Sequence, residues 1–153
     1  MKKIILVIVA MLMGIAAFAQ NARNNSADGI VGRYESVQAG DRYKVQVTRK
    51  QDGSYKAQIF WVENARDPKT GAIRLDEKNP DKSLRSTPCD KIVIFDGLAY
   101  DASKKSWGGT KIYDPQRGIR ANVTCVFLSD GRLSVKGSLM GISETAYWTA
   151  IGQ

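Results

Sequence analysis

The feature that most constrains this chain is a strict alternation of apolar and polar residues, repeated in short runs along most of its length. Tyr43, Val45 and Val47 alternate with Lys44, Gln46 and Thr48. Tyr55, Ala57, Ile59 and Trp61 share one face, opposite Lys56 and Gln58. Ala121, Val123, Cys125 and Phe127 repeat the pattern, as do Leu133 with Val135, and Ala146 with Trp148 and Ala150. A side-chain period of two belongs to extended strands with one buried face, and it cannot serve a helix. Asp52-Gly53 and Asp130-Gly131 separate adjacent runs. Asp-Gly between alternating segments signals a hairpin, because glycine takes positive φ without a Cβ clash.

Read this way, strands fall near 30–36, 43–49, 55–62, 91–97, 106–113, 119–128, 132–138 and 143–151. Beyond the N-terminal apolar run, no segment of ten or more residues shows the spacing of an amphipathic helix. The expectation is an all-β fold: an eight-stranded antiparallel up-and-down barrel, closed so that neither sheet edge is bare. A two-sheet sandwich is the alternative. Residues 63–90 carry no strand pattern and form one long connection, of the kind that is functional or disordered in compact domains. Within it, Asn79 is placed to cap a helical turn over residues 80–85, with Pro80 at the first helical position and Asp81 behind it.

The start of the chain is of a different kind. Lys2 and Lys3 precede an uncharged run of 15 residues from Ile4 to Phe18, and Ala17-Phe18-Ala19 has the small-x-small form of a processing site. The run is shorter than the ~20 residues a membrane-crossing helix needs. Residues 1–19 are therefore expected to be a signal peptide, with export to the periplasm or beyond after cleavage near Ala19. No cysteine follows the run, so a lipidated start is not expected, and no later stretch is apolar enough to span a membrane. The polar segment 20–29 is expected to be a flexible leader, and 30–153 a single barrel domain.

Composition removes several chemistries. The chain has no histidine, which excludes Ser-His-Asp and Cys-His catalysis and histidine metal sites. The net charge is +8, but Lys2 and Lys3 lie in the expected signal peptide and the remaining cations are scattered. Such a charge admits an anionic surface as a partner and otherwise serves solubility. Nucleic-acid binding is disfavoured by the absence of a clustered basic and aromatic face. The two cysteines, Cys89 and Cys125, leave open a disulfide or a buried free thiol.

Three groups of residues are candidates for chemistry. Asp76, Asn79, Asp81 and Arg85 lie in the long loop, but their spacing does not match a calcium loop, and capping with an Arg85 ion pair is the simpler reading. No metal or cofactor is implied. Trp107-Gly108-Gly109 marks close backbone approach or a bend, and Asp114-Pro115 through Gly118 marks a tight turn. The aromatic set Tyr34, Trp61, Trp107, Tyr113 and Trp148 is either core or the wall of a ligand pocket, with Arg85 as a polar anchor. Three functions follow in order: a binding module for a small apolar or amphipathic molecule; a solid-cored domain that contacts another envelope component; and a hydrolase using two of Asp76, Asp81, Asp96 and Asp114.

Several of these residues occur together in a known pattern. Gly32-Arg33-Tyr34, Asn79-Pro80-Asp81 with Leu84-Arg85, Trp107-Gly108-Gly109, Ile112-Tyr113-Asp114-Pro115 with Gly118, and Trp148-Thr149 follow one another in order. The chain thereby resembles the domain of unknown function 2147 family of exported bacterial proteins, over roughly residues 28–150. The resemblance implies a lipocalin-like barrel and an envelope or secreted location, and no reaction. Tyr34 stands where the family often has Trp, and Cys89 where an apolar residue is usual.

Overall fold

The computed structural model describes residues 21–152. Residues 1–19, expected to be a signal peptide, lie outside the described residues. The strands are β1 (Gly32–Gln38), β2 (Asp41–Arg49), β3 (Tyr55–Val62), β4 (Val93–Asp101), β5 (Ser106–Gly108), β6 (Lys111–Asp114), β7 (Ile119–Phe127), β8 (Leu133–Leu139) and β9 (Ile142–Ile151). Each pairs antiparallel with its sequence neighbour, save that β5 and β6 are two halves of one bent strand. β5 pairs with β4 on one side and, through Trp107 and Cys125, with β7 on the other. β1 pairs with β9. The ring therefore closes as an eight-stranded antiparallel barrel.

The break in the fifth strand departs from the continuous run expected over 106–113. Gly109 adopts φ +82°, and a Cβ on Gly108 would lie 3.3 Å from the Val123 carbonyl oxygen. The Gly-Gly pair lets the strand bend tightly against β7, a turn that residues with a Cβ resist. A second irregularity is a bulge where Lys44 meets Trp61 and Val45 meets Ile59, with Phe60 as the extra residue. Two successive residues of a bulged strand share a face. Trp61 thus turns outward with Phe60, and Val62 turns inward.

Alternating strand direction puts the turns after β2, β4 and β7, and the N-terminal segment 21–31, at one end of the barrel. The segment expected to be a flexible leader is instead two 3-10 turns, Ala22–Asn25 and Ala27–Ile30, that close this end. The reason is hydrogen bonding that the local composition does not reveal. Asn24 is buried and behaves as a strand partner: its Nδ2 donates to the Phe127 carbonyl at 2.8 Å, and its Oδ1 accepts from the Phe127 N–H at 2.8 Å. The Tyr100 hydroxyl donates to the Asn24 carbonyl, and Trp107 Nε1 donates to that of Ala27. Tyr34 donates to the Ile30 carbonyl at 2.6 Å and accepts from Arg23 Nη2 at 3.0 Å. The Arg23 guanidinium lies 4.0 Å from the Phe127 ring centroid. Buried aromatic tips are thus satisfied by the plug, and the plug is held by them.

Behind the plug the barrel is solid. Tyr34, Phe95, Trp107, Phe127 and Trp148 are all buried, with ring centroids 5.9–6.4 Å apart along the chain of contacts. Cys125 is buried in this layer and its thiol is pushed up to about 12 by desolvation, while Cys89 lies near the other end. Both cysteines are free thiols.

Two outcomes test this account. Asn24→Ala strands a backbone N–H and a carbonyl of β7, and should cost about 2–4 kcal/mol in denaturant unfolding. Burial also pushes the Tyr34 phenol up to about 12. The folded state keeps its proton while the unfolded chain ionises near ~10. The stabilisation is therefore whole below pH ~10 and drains away as pH climbs toward 12, so phenolate absorbance of Tyr34 should appear only with cooperative unfolding.

Candidate functional site

The opposite end of the barrel is hollow. An open-mouthed cavity of about 1070 Å³ occupies it. Its wall is apolar, formed by inward residues of the strands such as Ile59, Ile94, Ile112, Val135 and Ala146, with Ile92 just before β4. Small residues make the room: Ala121, Gly137 and Ala146 stand where larger side chains would meet. The Trp148 indole forms the floor, stacked on Phe95 at 6.1 Å, and its Nε1 donates to the Tyr43 hydroxyl at 3.1 Å. Burial raises the Tyr43 phenol above its ordinary range, so it stays protonated at neutral pH. The rim carries exposed apolar side chains: Met140, Ile142, Val37 and Leu139 on two adjacent hairpins, with Met140 94% exposed.

The long loop shapes the mouth. It is a folded ribbon, with bridges Arg66 to Ile73 and Leu75 to Pro88, and with the Asp76 N–H bonded to the Thr87 carbonyl. A latch fastens it to the barrel. Asp76 is buried and accepts from the Tyr113 hydroxyl at 2.6 Å and from Asn79 Nδ2 at 2.8 Å. Tyr113 is raised well above its usual range by desolvation and by that carboxylate. Gly118 completes the latch: at φ +67° it passes so close to the loop that a Cβ would sit 2.2 Å from the Lys78 carbonyl oxygen. Lys78 Nζ in turn donates to the Gln116 carbonyl at 2.7 Å. Asp114 accepts from the N–H groups of Gln116 and Arg117 and fixes the turn through Pro115 to Gly118.

Residues 32–150 match a family described as an uncharacterized protein conserved in bacteria, DUF2147. The chain belongs to this family. No curated protein sequence matches it. Among solved structures it is similar to protein HP1028 from the human pathogen Helicobacter pylori, described as belonging to the lipocalin family. The TM-score is 0.64, at 22% identity, over 81% of this chain and 84% of that one. The shared feature is the fold, and the barrel is lipocalin-like.

Seen within this DUF2147 barrel, the residues proposed from sequence separate into three places. Trp148 alone of the six ligand candidates lays its ring on the cavity floor. Tyr34 and Trp107 belong to the solid half and bond the plug. Trp61 is outside the barrel, with the Lys44 ammonium 4.8 Å from its ring centroid, because the Phe60 bulge reverses its face. Tyr113 borders the mouth, but its ring faces outward. Ile112 and Ala121 are opposite one another inside, close to Gly137, so their neighbours Tyr113 and Arg120 point away from the lumen. Tyr113 is buried by the loop that covers it. Arg85 is exposed and donates from Nε to the Asn79 carbonyl at 2.7 Å, so it is neither a pocket anchor nor a carboxylate's partner.

The loop motif is likewise reassigned. The expected turn over 80–85 is a 3-10 turn, Lys82–Leu84, and its cap is Asp81, which accepts from the Ser83 N–H at 2.9 Å. Asn79 is buried and serves the latch, with Pro80 following it exposed. Of the carboxylates weighed for catalysis, Asp76 is latched, Asp81 caps, Asp96 pairs with Lys50 at 2.6 Å, and Asp114 holds its turn and Arg117. Among the described residues, no group of three or more His, Cys, Asp or Glu is arranged to hold a metal ion. No helix there is long and apolar enough to cross a membrane, which says nothing of strands. Nothing in the sequence separates Tyr43 from the other alternating residues of β2, and only the Trp148 bond across the floor marks it out.

The latch is testable. Tyr113→Phe leaves a buried carboxylate oxygen without its donor, at about 1–3 kcal/mol. Limited proteolysis should cut within 63–90 faster in this variant, with the barrel still folded by far-ultraviolet circular dichroism.

Proposed function

We propose that the chain is a binding module that holds one small apolar or amphipathic molecule in the open half of its barrel, in the bacterial envelope or beyond it. The single observation that carries this is the cavity. Its volume of about 1070 Å³, which includes the open mouth, is just above the range of small-molecule sites, ~300–1,000 Å³. Its wall is apolar, and an evolved core would have filled such space with larger side chains. The rim supports the same reading, because Val37, Leu139 and Ile142 continue the apolar lining to the outside. The resemblance in fold to a lipocalin-family protein supports it as analogy. Export rests on the N-terminal run, which is followed by an Ala-x-Ala site.

The exposed rim also favours a second reading, in which the mouth docks on another envelope component. Met140 is 94% exposed and Ile142 71%, beyond what solubility calls for. Pull-down from envelope extract that captures one stoichiometric protein, lost in Met140→Ser with Ile142→Ser, would favour it over the cavity.

The test of the first reading fills the cavity. Ala146→Phe places a ring against Val135, its cross-strand neighbour inside the lumen. It should weaken binding of long-chain amphiphiles at least about tenfold, which is ~1.4 kcal/mol. Trp61→Phe, outside the barrel, should leave that affinity unchanged. Quenching or enhancement of Trp148 fluorescence reports occupancy. If Ala146→Phe binds as the parent does, the cavity is not the site.

A further inference from the structure

A second pocket, of about 490 Å³, lies in the barrel wall itself. Two glycines open it. Gly97 in β4 adopts φ +80° and Gly109 φ +82°, and the strands part there. β4 is laddered to β5 from Ala99 to Asp101, whereas β6 is beside β4 but pairs with β7. The Thr110 hydroxyl donates to the Asp96 carbonyl at 2.8 Å across the fork. Toward the mouth, residues 93–96 and 111–114 face each other across a slit with no ladder between them. The long loop roofs this slit with Asp76, Asn79, Leu84 and Thr87, and the bond from Tyr113 to Asp76 at 2.6 Å fixes the roof. Ile92 and Ile94 line both this pocket and the barrel cavity, so one layer of side chains divides the two.

The fork gathers cations that are far apart in sequence. Lys91, Lys111 and Arg120 line the pocket, and none of the three forms an ion pair among the described residues. The carboxylates that line it are committed elsewhere. Asp76 accepts from Tyr113 and Asn79, and Asp96 pairs with Lys50 at 2.6 Å. Asp81, outside the pocket, accepts from the Ser83 hydroxyl and N–H; these bonds lead in holding its carboxyl low, and Arg120 adds its field from further off. The Arg120 guanidinium lies over the Tyr113 ring, 5.0 Å from its centroid. A guanidinium over a ring face keeps its in-plane N–H groups for an acceptor, and that fork matches a carboxylate or phosphate. An anion among three cations relieves their mutual repulsion.

We propose that this pocket is a second binding site, separate from the barrel cavity, for a small amphipathic anion. Lys91, Lys111 and Arg120 hold its carboxylate or phosphate, and Ile92, Ile94 and Leu84 receive a short apolar body. The site needs no occupant in the cavity, and the latched roof forms it before the ligand arrives.

The experiment titrates hexanoate, hexyl phosphate, hexanol and inorganic phosphate into the protein, followed by backbone amide shifts in nuclear magnetic resonance. At least one of the two amphipathic anions should bind about fivefold or more tighter than hexanol and than inorganic phosphate, and the tighter of the two names the headgroup. The shifts should cluster on residues 91–96 and 110–111, a reading that needs no variant. Affinity should fall as salt is raised. Lys91→Gln, Lys111→Gln and Arg120→Gln together should weaken the anion about fivefold or more, at the scale of exposed charge pairs. Lys104→Gln, in the turn after β4, should leave it unchanged, and so should Ala146→Phe. Hexanol or inorganic phosphate binding as tightly as both anions, or full affinity in the triple variant, overturns the proposal. So does loss of the anion in Ala146→Phe with shifts at Val135 and Ala146, which would put it in the barrel and leave the cavity reading standing.

Discussion

The structure depends on how one end of the barrel is sealed. Eight antiparallel strands leave two open mouths, and each mouth exposes backbone and aromatic edges that must find partners. Asn24 meets this need at β7 by presenting its amide as though it were another peptide unit. Arg23, Ile30 and Ala27 then take up the polar tips of Tyr34 and Trp107. A charged guanidinium over the Phe127 ring is tolerated because its Nε reaches the Gly29 carbonyl and its Nη2 reaches Tyr34. With this end dry and satisfied, the large aromatics pack as a solid layer. That layer supplies the burial that lets the other half go unfilled.

Stability and function are thereby divided along the barrel axis. The residues that make the cavity are small or slim, and their cost in lost packing falls on the half that the aromatics do not occupy. The long loop follows the same division. Its latch is on the outside wall, where Tyr113, Asp76, Asn79 and Gly118 join it to the turn after β6, so that its fastening takes no space from the lumen. The loop shapes the mouth without filling it.

This division explains which parts were legible in the sequence. Alternation and Asp-Gly turns gave away the barrel, because both are local consequences of a half-buried strand. The sites were less legible because they depend on small departures from that rule. Phe60 adds one residue to β3, and Trp61, on the inward face by simple alternation, goes outside. Gly108 and Gly109 bend the fifth strand, and the pleat then carries Tyr113 outward under the loop. Residues 21–30 look like a leader because Asn, Ser and Gly are frequent in them, yet Asn21, Asn24 and Ala27 bond partners 76 to 107 positions away. Long-range polar pairing leaves no periodic trace. The family motifs fared differently. Trp107-Gly108-Gly109 and Asp114-Pro115 through Gly118 mark the bend and the latch, so what looked like a signature of a site is chiefly a signature of how this barrel closes and how its loop is tied.

That distinction bears on where specificity can reside. Motif residues engaged in closing the barrel are fully bonded to the protein and have nothing left to offer a ligand. Tyr34, Trp107 and Tyr113 each have a protein partner for their polar atom. Tyr43 on the cavity floor is likewise engaged, by Trp148 Nε1 and by the Ser36 hydroxyl. Selectivity here is expected to come from the size and shape of the cavity and its isoleucine, valine and alanine wall, rather than from the residues that close the barrel.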